Sequence, residues 1–300
     1  MRNADGESHI NTSSETIFEA LGELARTPHP IGISELQRSL GEPISSIHRA
    51  LATLEEAHYA VRYEGTAKFV PGPMCFHLVR ALVNRFQIRK AALPTLRALA
   101  AVTEGSATLN VRLGWFSLRV ASAEGRIDYY QGRRVGEARL LHEDVAPLSM
   151  LSALSDRAVA DYRAFIARRM PSRIHEALSP SLDRIITDAR ERGYVVRPDR
   201  ERPDRSWAGV PLSDSTGAPF AAISVVLPET RTSRRKAPDG AMQDVLAVAA
   251  DLQRQVLEDA ALSQVPFSHI PADELILPLP QSDVQSDTPA LENAGPPGRR

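Results

Sequence analysis

The polar side chains with the clearest chemical use lie within positions 33–61, which read ISELQRSLGEPISSIHRALATLEEAHYAV. Hydroxyl, imidazole and guanidinium groups donate hydrogen bonds, and a row of them on one exposed surface suits contact with phosphate oxygens and base edges. The row consists of Ser45, Ser46, His48, Arg49 and Thr53. Ile47, Leu51 and Leu54 alternate with it at spacings of four and three, which predicts a helix that buries its opposite face.

A shorter amphipathic helix precedes this one. Ser34 is a plausible N-cap, Leu36 and Leu40 fall one turn apart, and Gly41 can adopt the left-handed backbone that ends a helix. Two short helices, a tight turn and a donor-rich second helix are typical of a helix-turn-helix motif, whose second helix enters a groove of DNA. An ordinary solvated helix also carries Ser and Thr, so the interpretation depends on the elements that follow.

The segment after these helices reads as a β-hairpin. Two β-prone stretches, ending at Tyr63 and resuming at Lys68, surround a glycine turn at residues 64–66. A hairpin directly after a helix-turn-helix is the wing of a winged helix, so residues 13–75 are predicted to form a DNA-binding domain. Lys68, near the tip of the wing, is expected to meet a phosphate, a contact that supplies affinity without sequence preference.

Composition restricts the class of protein. The chain has 300 residues, 43% of them hydrophobic and 24% charged, which is enough for two globular domains. Its single cysteine, Cys75, excludes an internal disulfide and a cysteine-rich zinc site, and its apolar neighbours favour a buried structural thiol. No apolar run is long enough to span a bilayer, and residues 1–12 contain no hydrophobic signal core. We therefore expect a cytoplasmic protein without metal, cofactor or membrane association, with residues 1–12 disordered.

The net charge of −1 does not by itself indicate a nucleic-acid partner. A DNA-binding domain needs a local basic face rather than a basic average. Such a face is present but modest between Pro43 and Lys90, where basic residues outnumber acidic ones. Binding is therefore expected to depend on dimerisation and to weaken steeply with salt.

Beyond the wing, the pattern predicts a linker helix and then an α+β domain. The linker helix is Phe76–Arg89, within a linker of residues 76–90, and the domain covers residues 91–262 with helices on an antiparallel or mixed sheet. Its predicted helices are Ala91–Val102, Pro147–Leu154, Asp156–Arg169, Ser181–Arg192 and Gly240–Leu262. Its predicted strands are Ala107–Leu113, Ser117–Ala121, Ile127–Tyr130, Val135–Leu141, Tyr194–Arg197, Arg205–Leu212 and Phe220–Leu227.

Residues 263–300 are rich in Pro, Ser, Asp and Gln and lack periodicity. Such a composition predicts a disordered tail. Its apolar patch Leu275–Leu279 leaves open a second interpretation, a docking peptide.

In its ordered set of motifs the chain resembles the IclR-type (isocitrate-lyase-regulator) bacterial transcription factors. The resemblance covers about residues 14–262 and is strongest in the 33–61 stretch, with weaker similarity in ARERGYVV, GVPLSDSTGAPFAAISVV and RRVGEARLLHED. It implies an N-terminal winged helix, a linker helix that helps dimerise, and a C-terminal GAF-like domain that binds a small organic effector. It also implies a dimer or tetramer.

The resemblance suggests four effector-binding positions, and the chain departs from the family pattern at several of them. The positions are His142, Asp144, Trp207 and Ser224. Trp207 stands where the family commonly has Cys, Val226 replaces the second hydroxyl of a Ser-x-Ser pair, and acidic Glu143 and Asp144 follow His142. In the recognition helix, Ile44 occupies a position that is often Lys. A bulky indole, a lost donor and acidic side chains disfavour a small carboxylate, so the hypothesis is a more apolar ligand or none.

Three functions are compatible with these sequence features. The favoured one is a DNA-binding transcriptional regulator, classed with repressors, whose dimer places two recognition helices on a pseudo-palindromic operator under effector control. The second is an interaction scaffold that has lost DNA or effector binding. The third is a GAF-like enzyme, for which the only histidine-containing ionisable cluster of the C-terminal domain is residues 142–144. No nucleophile, metal or nucleotide-binding signature accompanies that cluster, so no catalytic residue is assigned.

Overall fold

The N-terminal domain is a winged helix-turn-helix. The computed structural model describes residues 12–126, 135–199, 205–228, 238–277 and 279. Three helices and a two-stranded antiparallel hairpin make up this domain: α1 (Thr12–Arg26), α2 (Ile33–Leu40), α3 (Ile44–Glu56), β1 (Ala60–Arg62) and β2 (Phe69–Pro71). Its core is built from one apolar face of each helix together with Phe69 of the wing.

The start of α2 differs from the sequence prediction, whereas its end agrees. Gly32 is the N-cap rather than Ser34, and its N–H donates to Glu35 Oε2 at 3.1 Å. Gly41 ends the helix at φ 72°, in the left-handed region that favours glycine. Pro43 then precedes α3, where Ile47, Ala50, Leu51 and Leu54 are buried. The predicted division of this helix into a buried and an exposed face is confirmed.

The wing is fixed to the helices by Phe69. Arg62 pairs with Phe69 in the hairpin register, and its guanidinium carbon lies 4.8 Å above the centre of the Phe69 ring. Ile31, in the loop before α2, forms a β-bridge to Phe69. Cys75, just after the wing, is half-buried rather than fully buried, and its thiol lies 3.5 Å from the Tyr59 carbonyl oxygen.

The connection between the domains contains a break that the periodicity did not predict. Instead of one helix over Phe76–Arg89, the structure has α4 (Met74–Val83), a short bend, and α5 (Gln87–Thr103). Phe86 lies in the bend and is 3% exposed, within the core of the next domain. The chain has to turn to bury Phe86, and a continuous helix would not allow this. Helix α5 therefore begins before the predicted Ala91.

The C-terminal domain is α+β, and its described residues form one antiparallel sheet of six strands in the order β5-β4-β3-β8-β7-β6. The fold class predicted from the sequence is confirmed. The predicted strand Ile127–Tyr130 lies outside the described residues. The strands are β3 (Ala107–Leu113), β4 (Phe116–Ala123), β5 (Ala138–Leu140), β6 (Val195–Pro198), β7 (Arg205–Ser213) and β8 (Pro219–Pro228).

Helices cover both faces of this sheet and form two cores. On one face α5 and α10 (Pro238–Glu258) pack against side chains such as Leu109, Val210 and Ile223. On the other face lie α6 (Val145–Ala153), α7 (Asp156–Arg169), the short α8 (Ile174–Ala177) and α9 (Pro180–Arg192). Short 3-10 turns at Pro171–Arg173 and Ala260–Ser263 complete the described elements.

Part of the predicted disordered tail is folded against the C-terminal domain. Residues 264–277, here called the C-terminal strap, contain turns but no long helix or strand. Asp273 accepts a hydrogen bond from Trp115 Nε1 at 2.7 Å and pairs with Arg168 Nη2 at 3.1 Å, while Ala272 and Leu277 pack on the second core. The prediction of disorder from residue 263 is therefore wrong for this segment. Its few apolar residues are spaced irregularly, and composition alone does not reveal their binding site.

Ending the chain at Gln264 should destabilise the C-terminal domain. The deletion removes the hydrogen-bond acceptor of a Trp115 indole that is 8% exposed and uncovers apolar side chains. The expected loss is about 2–4 kcal/mol of unfolding free energy, measured by denaturant unfolding followed by tryptophan fluorescence. A chain ending at Leu279 is the matched control and should unfold as the full chain does. Equal stability of both shortened chains would contradict a structural role for the strap.

Candidate functional site

The outward face of α3 presents hydrogen-bond donors that the fold does not use. Ser45, His48 and Arg49 are exposed and Ser46 is half-buried. Within the described part of the chain, none of these four side chains takes part in a hydrogen bond or ion pair. The fifth predicted residue, Thr53, is exposed and donates its hydroxyl to the Arg49 carbonyl at 3.0 Å. The structure therefore brings all five predicted residues of this helix onto one accessible surface.

The beginning of α3 is also open. Its N-cap is Pro43, which provides no side-chain cap; the Ser46 N–H bonds to the Pro43 carbonyl at 2.9 Å, and no side chain caps the N–H groups of Ile44 and Ser45. Such a terminus attracts anions, because the unpaired N–H groups and the helix dipole both favour negative charge. Ile44, the first residue of the helix, is 48% exposed.

The basic residues of the wing are partly neutralised within the domain. Lys68 Nζ lies 3.3 Å from Glu35 Oε1, so its ammonium group points back toward the start of α2 and not outward from the wing into solvent. Arg62 Nε donates to Glu55 Oε1 at 3.1 Å and remains 56% exposed. Both cations stay accessible, but each shares its charge with a carboxylate. Arg62 is a basic residue of this surface that the sequence prediction did not select.

In the C-terminal domain, polar side chains form a row on the face of the sheet beneath α6. Ser224 of β8 and Thr108 of β3 are register partners, and their hydroxyl oxygens are 2.8 Å apart. Asn110 Nδ2 donates to Thr108 Oγ1 at 3.0 Å, and all three residues are at most 4% exposed. Ser224 was predicted from the resemblance. Strand alternation in the sequence places Thr108 and Asn110 on the same face of β3, but the sequence prediction does not include these two residues.

A buried ion cluster adjoins the polar row. Arg119 is the register partner of Asn110 and is 2% exposed. Its guanidinium pairs with Glu137 at 3.3 Å and with Asp144 at 3.5 Å. Asp144 is also the N-cap of α6 and accepts the Val145 N–H at 2.7 Å. Asp144 therefore holds the start of α6 against β4.

His142 is held by Tyr162 of α7. The Tyr162 hydroxyl accepts the His142 backbone N–H at 3.2 Å and also contacts ring nitrogen Nδ1. Burial raises the pKa of the Tyr162 phenol well above its ordinary range, so its proton is retained and available to Nδ1. Burial lowers the pKa of His142, against the opposing effect of Glu143 and Glu176. If Nδ1 accepts the Tyr162 proton, the neutral ring carries its own proton on Nε2, which is buried with no hydrogen-bond partner among the described residues and lies 3.9 Å from a carboxylate oxygen of Glu176.

The acidic residues after His142 are paired, which changes the expected electrostatics. Glu143 accepts the Leu140 N–H at 2.9 Å and forms an ion pair with Arg173. Asp144 is paired with Arg119, as described above. The sequence-based expectation that these two carboxylates repel an anionic ligand requires uncompensated charges. The two arginines, which are distant in sequence, offset that repulsion.

The four predicted effector residues lie around the N-terminus of α6. His142 and Asp144 immediately precede the helix, and Ser224 is the register partner of Gly209, which α6 approaches closely. Trp207 lies two positions from Gly209 on the same strand face, and its indole N–H donates to Asp199. A Cβ at Gly209 would lie 2.5 Å from the Val145 carbonyl oxygen, so α6 rests directly on the sheet.

A cavity of 350 Å³ lies at the opposite end of α6. Ser152, Arg190, Tyr194 and Pro211 are among the residues that line it, and none of the four predicted effector residues does. Arg190 also donates to the carbonyls of Ser152 and Leu154, both at 2.9 Å, near the end of α6.

Two kinds of site are not found in the described ranges. No group of three or more His, Cys, Asp and Glu side chains there is placed to hold a metal ion. No helix there is long and apolar enough to cross a membrane.

The arrangement defines a class of protein: a winged helix with an accessible donor-rich helix, joined to an α+β domain with a buried polar site. Comparison with known sequences gives the family. Residues 17–63 match the family model of the IclR helix-turn-helix domain, and residues 80–254 match that of the bacterial transcriptional regulator IclR C-terminal domain. The chain belongs to the IclR family of transcriptional regulators, which have a helix-turn-helix DNA-binding domain and a C-terminal effector-binding domain.

Individual relatives agree with this assignment. The HTH-type transcriptional regulator KdgR of Escherichia coli K12 is 24% identical over 288 residues, covering 89% of this chain and 100% of the relative. An IclR regulator structure from Alicyclobacillus acidocaldarius has a TM-score of 0.66 at 18% identity and covers 85% of this chain and 100% of its own. An IclR homolog from Microbacterium hydrocarbonoxydans complexed with 4-hydroxybenzoate has a TM-score of 0.64 at 17% identity, covering 81% and 98%.

The stability of the C-terminal domain should depend on the protonation of His142. Because the folded-state pKa is lowered, the stability gained from the neutral ring is fully present above the unfolded pKa of about 6.5 and is lost as the pH falls toward the folded pKa. Replacing His142 with Gln should flatten the fall in unfolding free energy between about pH 7 and pH 5.5, by at most about 1.4 kcal/mol per pH unit. Denaturant unfolding at a series of pH values measures it.

His48→Gln, at an exposed histidine of the other domain, is the control and should follow the wild-type pH dependence. A His142→Gln variant as sensitive to acid as the wild type would show that the imidazole is not the titrating group.

Proposed function

We propose that this regulator binds double-stranded operator DNA with α3 in the major groove. The observation that carries the proposal is the set of unpaired donors on the outward face of α3, formed by Ser45, Ser46, His48 and Arg49. Folding leaves their hydrogen-bonding capacity unused, and the N-terminal part of a recognition helix is where base edges are contacted. Arg49 is assigned to a base or phosphate, and the two serines to base edges or phosphates.

The flanking residues are assigned to backbone contacts. Thr53 lies one turn beyond Arg49, and its hydroxyl can donate to a phosphate oxygen once its proton turns away from the Arg49 carbonyl, to which it donates at 3.0 Å. Lys68 and Arg62 extend the cationic surface from α3 to the wing. Because Glu35 and Glu55 offset part of this charge, the domain alone should bind weakly. Two copies acting together would compensate, and this favours a dimer on DNA.

Helix α4 is the proposed dimer contact. None of its residues is buried, although Phe76, Val79 and Leu82 are 77%, 53% and 44% exposed. A contiguous apolar surface of this kind marks an interaction site. A homodimer joined here, or a tetramer built from such dimers, would present two α3 helices about 34–36 Å apart to a pseudo-palindromic operator. Sedimentation equilibrium measures the stoichiometry, and a monomer at micromolar concentration would contradict this arrangement.

The effector is proposed to bind around the N-terminus of α6, in contact with His142, Asp144, Trp207 and Ser224. An unpaired buried donor costs free energy, and a ligand acceptor at His142 Nε2 would recover it. Trp207 and Val226 line the same sheet face and favour a ligand with an apolar part. Because Glu143 and Asp144 are paired with arginines, they do not exclude an anionic ligand, and an aromatic acid is one class of effector that the site could bind. Because α6 rests on Gly209, entry requires the helix to shift.

A hydrogen bond near the start of α5 supports a route from this site to the linker. Arg89, near the start of α5, donates from Nε to the Val120 carbonyl at 3.1 Å, next to Arg119 of the ion cluster. A ligand that displaces Asp144 or Arg119 would therefore act on β4 and on the first turn of α5. We propose that this sets the relative placement of the two winged helices, with repression as the output. Differential scanning fluorimetry with aromatic acids and small carboxylates tests the site, and no shift with either class would contradict it.

No catalytic role is proposed for the 142–144 cluster, since its side chains contact Tyr162, Arg173, Arg119 and a helix terminus. For a regulator that acts on DNA, we place the protein in the cytoplasm.

Replacing Arg49 with Ala should weaken operator binding by about 5- to 150-fold if Arg49 reads a base, and should reduce the salt slope by about one if it binds a phosphate. The fold should be retained, because Arg49 is exposed and its side chain has no partner among the described residues. Fluorescence anisotropy on DNA from upstream of the gene, at about 50 and 200 mM salt, measures both quantities.

The matched control is Arg157→Ala, the same change at an exposed position on α7 of the other domain. Unchanged affinity and salt slope in Arg49→Ala would exclude Arg49 from the interface. Failure of the wild type to bind any duplex would instead support the scaffold alternative.

A further inference from the structure

We infer that Ile44 reads the methyl group of thymine in the major groove and thereby sets a base preference of α3. The inference rests on the proposed DNA binding and assigns a specificity residue within it. Ile44 is the first residue of α3, follows directly after Pro43, and is 48% exposed. It thus lies at the end of the helix that carries the unpaired donors.

The fold does not account for this side chain. The core of the domain takes Ile47, Ala50, Leu51 and Leu54 from α3, all at most 3% exposed, and does not include Ile44. A β-branched residue is a weaker helix former than Ala, Lys or Glu, so its presence at an exposed position brings no gain in helix stability. We therefore assign its use to a partner outside the domain.

The chemistry of the neighbouring residues restricts that partner. Along α3, Ile44 is followed by Ser45 and by the exposed His48 and Arg49, so it is an isolated apolar group at the edge of a polar surface. A protein partner that buries apolar area would need a wider patch, such as the one on α4. Ile44 has no hydrogen-bonding group for a phosphate. In the major groove, the apolar group presented by a base pair is the C5-methyl of thymine.

The position of Ile44 on the helix agrees with this partner. Recognition helices of this motif contact base edges through their N-terminal residues. Ile44 lies one helical turn before His48, and the absence of a side-chain cap at Pro43 leaves the approach to this end unobstructed by a capping group. A residue here is able to reach a base while Arg49, five residues further on, contacts another base or the backbone.

The test is a double-mutant cycle between the protein and the DNA. The preferred operator is first selected from random duplexes with the full-length wild-type protein. Each thymine of the half-sites is then replaced by deoxyuridine, which removes only the C5-methyl group. At one thymine per half-site, this replacement should weaken wild-type binding about fourfold, the loss expected for one buried methyl group. Ile44→Ala should bind both duplexes with equal affinity.

Three further variants show whether the loss of methyl sensitivity is specific to the Ile44 side chain. Ser45→Ala is the matched control and should keep the methyl sensitivity, because it leaves Ile44 in place. Ile44→Val retains a branched side chain and should keep most of the sensitivity. Ile44→Lys should lose it and gain about one unit of salt slope, as a phosphate contact does. Circular dichroism of each variant verifies the fold.

The contradicting results are distinct from a failure of the proposed function. If thymine replacement weakens the wild type and Ile44→Ala equally, or if the selected half-sites contain no methyl-sensitive thymine, the role assigned to Ile44 is wrong while DNA binding stands. If selection yields no preferred sequence at all, the proposed operator binding itself fails.

Discussion

The C-terminal domain depends on the direct contact between α6 and the sheet at Gly209. Only a residue without a Cβ allows the Val145 carbonyl to come this close to β7. Eight consecutive residues of α6, from Val145 to Ser152, are buried, so all of this helix except its last residue is covered by the rest of the domain. A helix seated this deeply needs a fixed start. The Asp144 cap and its pairing with Arg119 provide it, since a buried carboxylate is tolerated only when its charge is compensated.

The polar residues beneath α6 follow from the same contact. Once α6 excludes water, Thr108, Asn110 and Ser224 must bond to each other, as they do. His142 is an exception, since its Nε2 has no hydrogen-bond partner among the described residues. A buried network of this kind is costly when only partly satisfied. An acceptor group on a ligand could therefore bond to His142 Nε2 at the start of α6. Such a bond would favour a ligand-dependent shift of this helix.

The two domains use their polar residues in opposite ways. On α3 the donors face outward and most of them have no partner among the described residues, whereas around α6 most polar groups are engaged. The bend at Phe86 and the hydrogen bond from Arg89 to β4 connect these regions. Helix α4, between them, buries none of its side chains. Its apolar surface is the proposed contact between two copies, close to the surfaces that would contact DNA.

The sequence by itself determined the winged helix, the faces of α3, the glycine end of α2 and the α+β class, because local spacing and turn chemistry govern each of them. It did not determine the break before Phe86 or the binding of the C-terminal strap, since both depend on burial in a core formed by distant segments. It also missed the arginine partners of Glu143 and Asp144, which are remote along the chain. Only the tertiary structure decided which charges are compensated, because compensation requires proximity in space, and periodicity reports only neighbours on the same element.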